Sequence, residues 1–499
     1  MPLTTYGVAT YGEELYYGSA DVNAEILWAI LVKWDGSNWE NEALRAVDLQ
    51  VERGRDTLVE NGSWTRYRPG RAEITVDNSD GRFDPYNSSS PLYLKLVPGK
   101  FVRIYVRYSG TDYNVMWGRI ADIQPYNRGL IRLTRITVTD GLDFLRTAIT
   151  SRGHINLQYG ITSIYDLVSA SDWPSTEWSV SAVTGGPEVG NTYFFKRNAL
   201  QAITELADAI AGQFFHHADG QFRAYAANYT HANTTTINED DLLRDIQITQ
   251  PWENIVNDAR IFENSKAKSA TSSEVLFDVT QPVYIAAGTS VSWDAMFRYS
   301  QYYPVGGRNP SVGPAGLDVN TASDGSGTDI SGSCSISALA TNQTGEGTTV
   351  TVTNGSASNG YIIEAKVYGQ AIYNPNPLVW TLTDASSLAA YGRRSFELDS
   401  PWVQGSEYAQ TYRNWLLDEL GTPRPLIRVA LENQPALQWG KELYISRIRL
   451  IAPSLGIDDY YRIGSIKHEW LKPNGLAVRT TYQLEPYLSA LSLPNQPTT

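Results

Sequence analysis

Apolar and polar residues alternate with a period of two through much of the chain. In "AEITVDNSDGRFDPYNSSSPLYLKLVPGKFVRIYV" (72–106), Ile74 and Val76 flank Thr75, and Val102, Ile104 and Val106 alternate with Arg103 and Tyr105. The stretch therefore predicts two half-buried strands joined by a long loop. Within the loop Asp77, Asn78, Ser79, Asp80 and Gly81 form turns, as do Asp84-Pro85 and Pro98-Gly99, whereas Phe83, Leu92, Leu94 and Leu96 are too apolar for a solvated tail. The loop is expected to be packed, and loops of such length in compact domains usually have a function. Asp77, Asn78 and Asp80 are expected to accept turn N–H groups, Gly81 to take a positive φ, and Arg82 to pair with a nearby carboxylate. Phe83, Leu92, Leu94 and Leu96 exceed what the flanking strands need, so they are expected to pack at a subunit or ring interface, together with Asp77, Asn78, Gly81, Arg82, Asp84 and Pro85.

The same alternation appears in "ILWAILVKW", "AVDLQVERG", "VMWGRIADIQPY" and "LIRLTRITVTDGLDFL", and short strands at this spacing predict a β-barrel or sandwich over 26–147. Helical spacing follows. Ile161, Ile164, Tyr165 and Val168 make one stripe, and Leu200, Ile203, Leu206 and Ile210 make another, which Gly212 should stop at C′. "GQFFHHADGQFRAYAANY" reads as a hairpin turning at Asp219-Gly220, so 148–267 predicts a small α+β domain.

From 268 to 384 the composition shifts to Gly, Ser, Thr and Asn around the strands "EVLFDVT", "GTTVTVTNG" and "GYIIEAKVYGQAI", which reads as an inserted β-sandwich. Residues 385–490 predict a second barrel carrying a helix at 406–420, capped by Ser406, striped by Tyr408, Tyr412, Trp415, Leu416 and Leu420, and ended by Gly421 and Pro423. An N-terminal arm (1–25) with Tyr-Gly steps at 6, 11 and 17 and a C-terminal tail (491–499) flank these units. The fold class is thus mainly β with α+β: two β-barrels, a small α+β domain and an inserted β-sandwich.

At 499 residues the chain is too long for one core, in agreement with several units. Tyrosine (31) outnumbers phenylalanine (12), which suits half-wet aromatic positions at interfaces. A net charge of −13 disfavours a nonspecific grip on phosphates, so no nucleic-acid binding is expected. The single cysteine, Cys334, excludes a disulfide framework and a Cys-based zinc site. The start has neither a basic nor an apolar signal region, and no run of about 20 apolar residues predicts a membrane span.

Motifs for catalysis do not assemble. Gly99-Lys100 and Gly440-Lys441 lack the upstream glycine of a phosphate loop, and Gly325-Ser326-Gly327 lacks nucleophile-elbow spacing. His468-Glu469 begins a zinc-protease motif, but the second ligand position holds Lys472. His216 and His217 are neighbours on a strand and face opposite ways, which prevents joint chelation. Asp77, Asp80 and Asp84 fail the EF-hand spacing, and capping of turns is preferred to calcium. No catalytic, cofactor-binding or metal-ligating residue is assigned.

The stretch 74–106 resembles the opening barrel of minor tail proteins of tailed bacteriophages, the tail-tip or baseplate hub group. "GQFFHHADGQFRAY", "PWENIVNDARI" and "SSLAAYGRRSFELDSPWVQGSEYAQTYRNWLLDEL" resemble that group in the same order, so the resemblance covers most of the chain. It implies a non-enzymatic structural virion protein at the tail tip, assembled in the host cytoplasm. It further implies a homotrimeric hub with two related barrels per subunit, which joins the hexameric tail tube or distal tail protein to fibres or spikes, meets the tape measure protein, and lines a channel through which DNA passes. The alternative from composition is a carbohydrate-binding or polysaccharide-hydrolysing module.

Overall fold

The computed structural model describes residues 8–11, 14–17, 26–55, 67–154, 158–181, 185–226, 229, 234–243, 246–299, 306–338, 344–471, 477–488 and 491. With 49% strand against 17% helix, the fold is mainly β and its sheets set the architecture. In the first segment the strands run Leu27–Val32, Phe101–Tyr108, Thr111–Arg128, Ile131–Thr139, Arg68–Asp77, Ala46–Gly54 across the sheet, each antiparallel to the next. Alternation decides which side is core: Ala72, Ile74 and Val76 of one strand meet Val102, Ile104 and Val106 of another, and all six strands contribute to one apolar cluster. Among the described residues no ladder closes this sheet into a barrel.

The sheet continues instead into the C-terminal part. Ala46–Gly54 pairs with the second half of Ile457–Leu471, whose first half pairs with Arg447–Ala452. Beyond it lie Ala477–Pro486, Leu426–Glu432 and Gln247–Thr249, while Thr234–Asn238 adds in parallel to Arg447–Ala452. The segment expected to fold separately over 148–267 therefore lends two strands to the last sheet. Its helices share one core with that sheet, in which Ile203 and Leu206 join Tyr412, Leu416, Val429 and Leu484.

The insertion leaves and returns on adjacent strands, Asp258–Glu263 and Leu378–Thr383, which pair antiparallel. Between them lies a separate apolar core from Leu276, Phe297, Val319, Val350 and Ile362. Of the expected arm, Val8–Tyr11 pairs with Glu14–Tyr17, and Tyr17 with Trp28; its Tyr-Gly glycines and residues 492–499 of the tail lie outside the described residues.

Two helix ends differ from expectation. Helix Ala199–Ala209 is closed by Ala211 in the left-handed region (φ +51), with Gly212 donating to Ala207 O at 2.8 Å. Helix Ser406–Leu420 begins after Gly405, and Ser406 donates instead to Glu263 at 2.8 Å, because its hydroxyl points back to the neighbouring sheet.

Where the two halves cross, backbones touch. Gly54 takes φ +123, and a Cβ there would lie 2.3 Å from Gly464 O, so only glycine fits. Flanking it, Arg53 pairs with Glu442 at 2.7 Å and Arg55 grips Glu485 through Nε (2.8 Å) and Nη2 (2.7 Å). Arg462 also reaches Glu485, at 3.2 Å. All five side chains are buried. Burial pushes the Glu485 carboxyl up, but Arg55 and Arg462 outweigh it and hold it below the usual range. A bidentate pair of this kind fixes the relative orientation of the halves while contributing little net stability, since desolvation consumes most of the attraction.

Candidate assembly interface

The long loop folds as a ladder of turns with a repeat of three. Backbone N–H groups of Gly81, Asp84, Asn87, Ser90 and Tyr93 donate to the carbonyls of Asn78, Gly81, Asp84, Asn87 and Ser90 at 3.0 to 3.3 Å. Side chains seal successive turns: Asp77 accepts Ser79 N (2.9 Å), Asp80 accepts Arg82 N (3.0 Å), Asp84 accepts Tyr86 N (3.0 Å) and Asn87 accepts Ser89 N (3.1 Å). Asn78 reaches further, to Phe83 N at 2.8 Å. The carboxylates thus act as turn caps, the local use for which Asp and Asn are favoured. Gly81 takes the expected positive φ, +71.

Arg82 finds two carboxylates, Glu40 at 2.7 Å and Glu42 at 2.8 Å, and Glu42 also accepts from Trp34 Nε1. Burial works against the Arg82 charge, but the two glutamates outweigh it and raise its pKa. Arg45 bonds Asp80 at 2.8 Å.

Phe83, Leu92 and Leu96, expected at an interface, are buried within their own chain. Phe83 is 0% exposed and sits against Trp34, ring centroids 6.2 Å apart; Leu92 and Leu96 are buried in the same cluster as the strands. A side chain enclosed by its own chain has no surface to offer another, and here the apolar residues pin the ladder onto the sheet. Leu94 differs. It is 78% exposed and held at φ +63, a left-handed conformation that costs a branched side chain about 1–2 kcal/mol. Pro85 and Asp84 are half-buried at the rim, with Asp84 3.9 Å from Arg132.

The structure adds residues the sequence pattern missed. Tyr86 is 92% exposed, and Tyr93 and Val97 are also exposed on the ladder. Leu44 and Val47 are exposed on the segment that Arg45 ties to it. The tip of hairpin Thr111–Arg128/Ile131–Thr139 adjoins the ladder, since Asn78 N donates to Arg132 O at 3.0 Å. Its Leu130 is fully exposed, at 103%, and Ile131 is exposed beside it. The only advance signal was tyrosine and leucine among turn formers. One end of the first sheet thus presents several exposed apolar side chains on a hydrogen-bonded frame that also carries Asp80, Asp84 and Arg132.

Three described histidines, His216, His217 and His468, are held by neighbouring side chains. His468 Nδ1 meets Thr480 Oγ1 at 2.9 Å beside Trp439, and His216 packs between Trp173 and Trp178; burial lowers each pKa to about 3, so both are neutral. His217 faces the other way, to Asp219 (2.7 Å) and Glu442 (3.4 Å). Among the described residues no helix is long and apolar enough to cross a membrane.

No protein-family model matches the chain, and no curated protein matches it. In fold it is similar to a tail protein from Neisseria meningitidis MC58, with TM-score 0.50 and 10% identity over 92% of this chain and 96% of that one. The 43 kDa tail protein of prophage MuSo2 from Shewanella oneidensis aligns at TM-score 0.49 and 12% identity over 92% and 98% of the two chains. Prophage tail protein gp18 from Listeria monocytogenes EGD-e aligns at 0.42 and 10% over 91% and 94%. The chain has the fold of a tail protein, as the sequence resemblance implied.

Proposed function

We propose that the chain is a structural subunit of a phage tail tip, a homotrimeric hub without catalytic activity. The observation that carries this reading is the shared fold, which spans 92% of this chain and 96% of a solved tail protein. Residues 26–147 and 385–490 act as the two related barrel-like units of each subunit, so that three subunits present six units to a six-fold tail tube or distal tail protein. Closure across subunits satisfies sheet edges that a single chain leaves open. The ladder end, with Leu94, Tyr86, Asp84, Pro85 and the Leu130 tip, meets the neighbouring subunit or the ring above. The tape measure protein and fibres or spikes bind the assembled hub, and the −13 charge lets DNA pass without adhering.

Native mass spectrometry of the purified chain tests the reading. Particles of three chains are expected, and Leu94→Asp should yield single chains with an unchanged melting temperature. A wild-type monomer with affinity for a glycan array would overturn the hub in favour of the carbohydrate module.

A further inference from the structure

The first sheet has a second face. On strand Phe101–Tyr108, Val102 and Ile104 enter the core, so Phe101 and Arg103 lie on the other side. In the ladder with Thr111–Arg128, Arg103 is opposite Trp117 and Phe101 is opposite Arg119, and cross-strand partners share a face. Lys33, whose N–H donates to Phe101 O at 3.0 Å, extends the row. These five residues and Trp39 are half-buried. Trp39 and Trp117 meet edge to face with centroids 6.1 Å apart, and the Lys33 ammonium lies 4.8 Å from the centre of Trp39.

Arg119 has no bonded counter-ion. Its guanidinium is surrounded by rings, 4.4 Å from the centre of Phe101, 5.1 Å from Trp178 and 5.4 Å from Phe144. Among the described residues it makes no hydrogen bond and no ion pair, and its Nε is buried without an acceptor. Burial lowers its pKa, because rings stand where water would solvate the charge. The carboxylate that acts on it, Glu177, is bonded to Lys33 at 2.6 Å. Arg103, 5.2 Å from the centre of Trp117, has only the neutral Asn114 oxygen, at 3.2 and 3.3 Å.

The carboxylates at the border have cations of their own. Asp219 takes Arg223 (2.8 Å), Asp143 takes Arg146 (2.7 Å) and Asp112 takes Arg107 (2.6 Å). In a chain of net charge −13, this face thus carries Lys33, Arg103 and Arg119 against Glu177 alone. Donors are in excess here too, since Trp117 Nε1 and Trp178 Nε1 are also buried without a partner.

We propose that this face binds an extended acidic segment of a partner protein, whose carboxylates, two residues apart, meet Arg103 and Arg119 while the chain between them lies over the rings of Trp117 and Phe101. Charge complementarity selects the acid. Spacing selects the extended segment: diagonal neighbours in a ladder are about 7–8 Å apart, close to the roughly 7 Å between alternate residues of an extended chain. A nucleic acid is disfavoured by repulsion from the net charge. The surface lies on the sheet itself, away from the turn ladder, and the proposal does not depend on the hub reading.

The test uses the full chain and a fluorescein-labelled Asp-Leu-Asp-Leu-Asp peptide, read by fluorescence anisotropy at low salt, with Asn-Leu-Asn-Leu-Asn as the neutral control. Saturable binding is expected for the acidic peptide. Arg103→Gln and Arg119→Gln should each weaken it about 10- to 100-fold, the range for a hydrogen bond between charged groups. Arg119→Lys, which keeps the charge, should recover part of the loss. Melting curves establish that each variant is folded, and Arg103→Gln alone decides where Arg119→Gln is not recovered folded. No saturable binding, equal affinity for the neutral peptide, displacement by inorganic phosphate at the peptide's own concentration, or unchanged affinity in the folded glutamine variants would overturn the proposal.

Discussion

Truncating Phe83 to alanine separates a loop that is part of the core from one that serves only a partner. The ring is 0% exposed, is tilted at 53° against Trp34, and has the Arg45 and Arg82 guanidiniums 6.0 and 5.8 Å from its centre. Removing a fully buried phenylalanine costs about 3–5 kcal/mol, the upper part applying where surroundings cannot collapse into the space. Collapse is opposed here on both sides. Phe83 N is bonded to Asn78, the ladder continues through Asp84 N to Gly81 O, and the opposing wall is the paired sheet. A loss of that size is a large fraction of a total stability on the order of 5–15 kcal/mol. Urea unfolding of the isolated chain should shift to lower midpoint, and hydrogen exchange should accelerate in peptides covering 72–106 more than elsewhere. If the midpoint and exchange are unchanged while assembly fails, the ring faces a partner and the packing argument is wrong.

Leu94→Gly should leave monomer melting equal or slightly raised, by relief of the φ +63 backbone, while particles weaken by native mass spectrometry; a destabilised monomer would show that Leu94 packs on its own chain. Glu485→Gln should cost about 3–5 kcal/mol in urea unfolding, because Arg55 and Arg462 are left buried without their carboxylate; a loss below 1 kcal/mol would refute the tight junction. Asp140 accepts from Gly70 N and Leu142 N, yet burial raises its pKa from 3.8 to about 7. Its folded form holds the proton more tightly, so its contribution is complete below pH 3.8 and falls as pH rises to about 7; Asp140→Asn should flatten that part of the melting profile, and an identical slope would refute this. Replacing 264–377 by a short turn between the paired residues Glu263 and Leu378 should leave a folded chain by circular dichroism, since the insertion has its own core; insoluble protein would show that its contacts are needed.

The sequence by itself determined the local elements. Period-two alternation placed the strands around Ile74 and Ile104, 3.6-residue spacing placed the helices at Leu206 and Leu416, and turn chemistry anticipated the φ of Gly81 and the capping by Asp80. These signals are legible because each residue's preference acts on its immediate neighbours. Tertiary structure alone decided which surfaces those elements cover. Thr234–Asn238 joins the last sheet although its alternation is masked by a run of threonines, since pairing across more than 200 residues leaves no local trace. The equal hydrophobicity of Leu92, Leu94 and Leu96 hid opposite fates, because the backbone path of the turn ladder turns two inward and one out. Nothing in the sequence around Arg53 and Arg55 points to their partners Glu442 and Glu485, which lie 389 and 430 residues later. A buried charge is tolerated only beside its partner, and that partner is chosen by the fold in three dimensions.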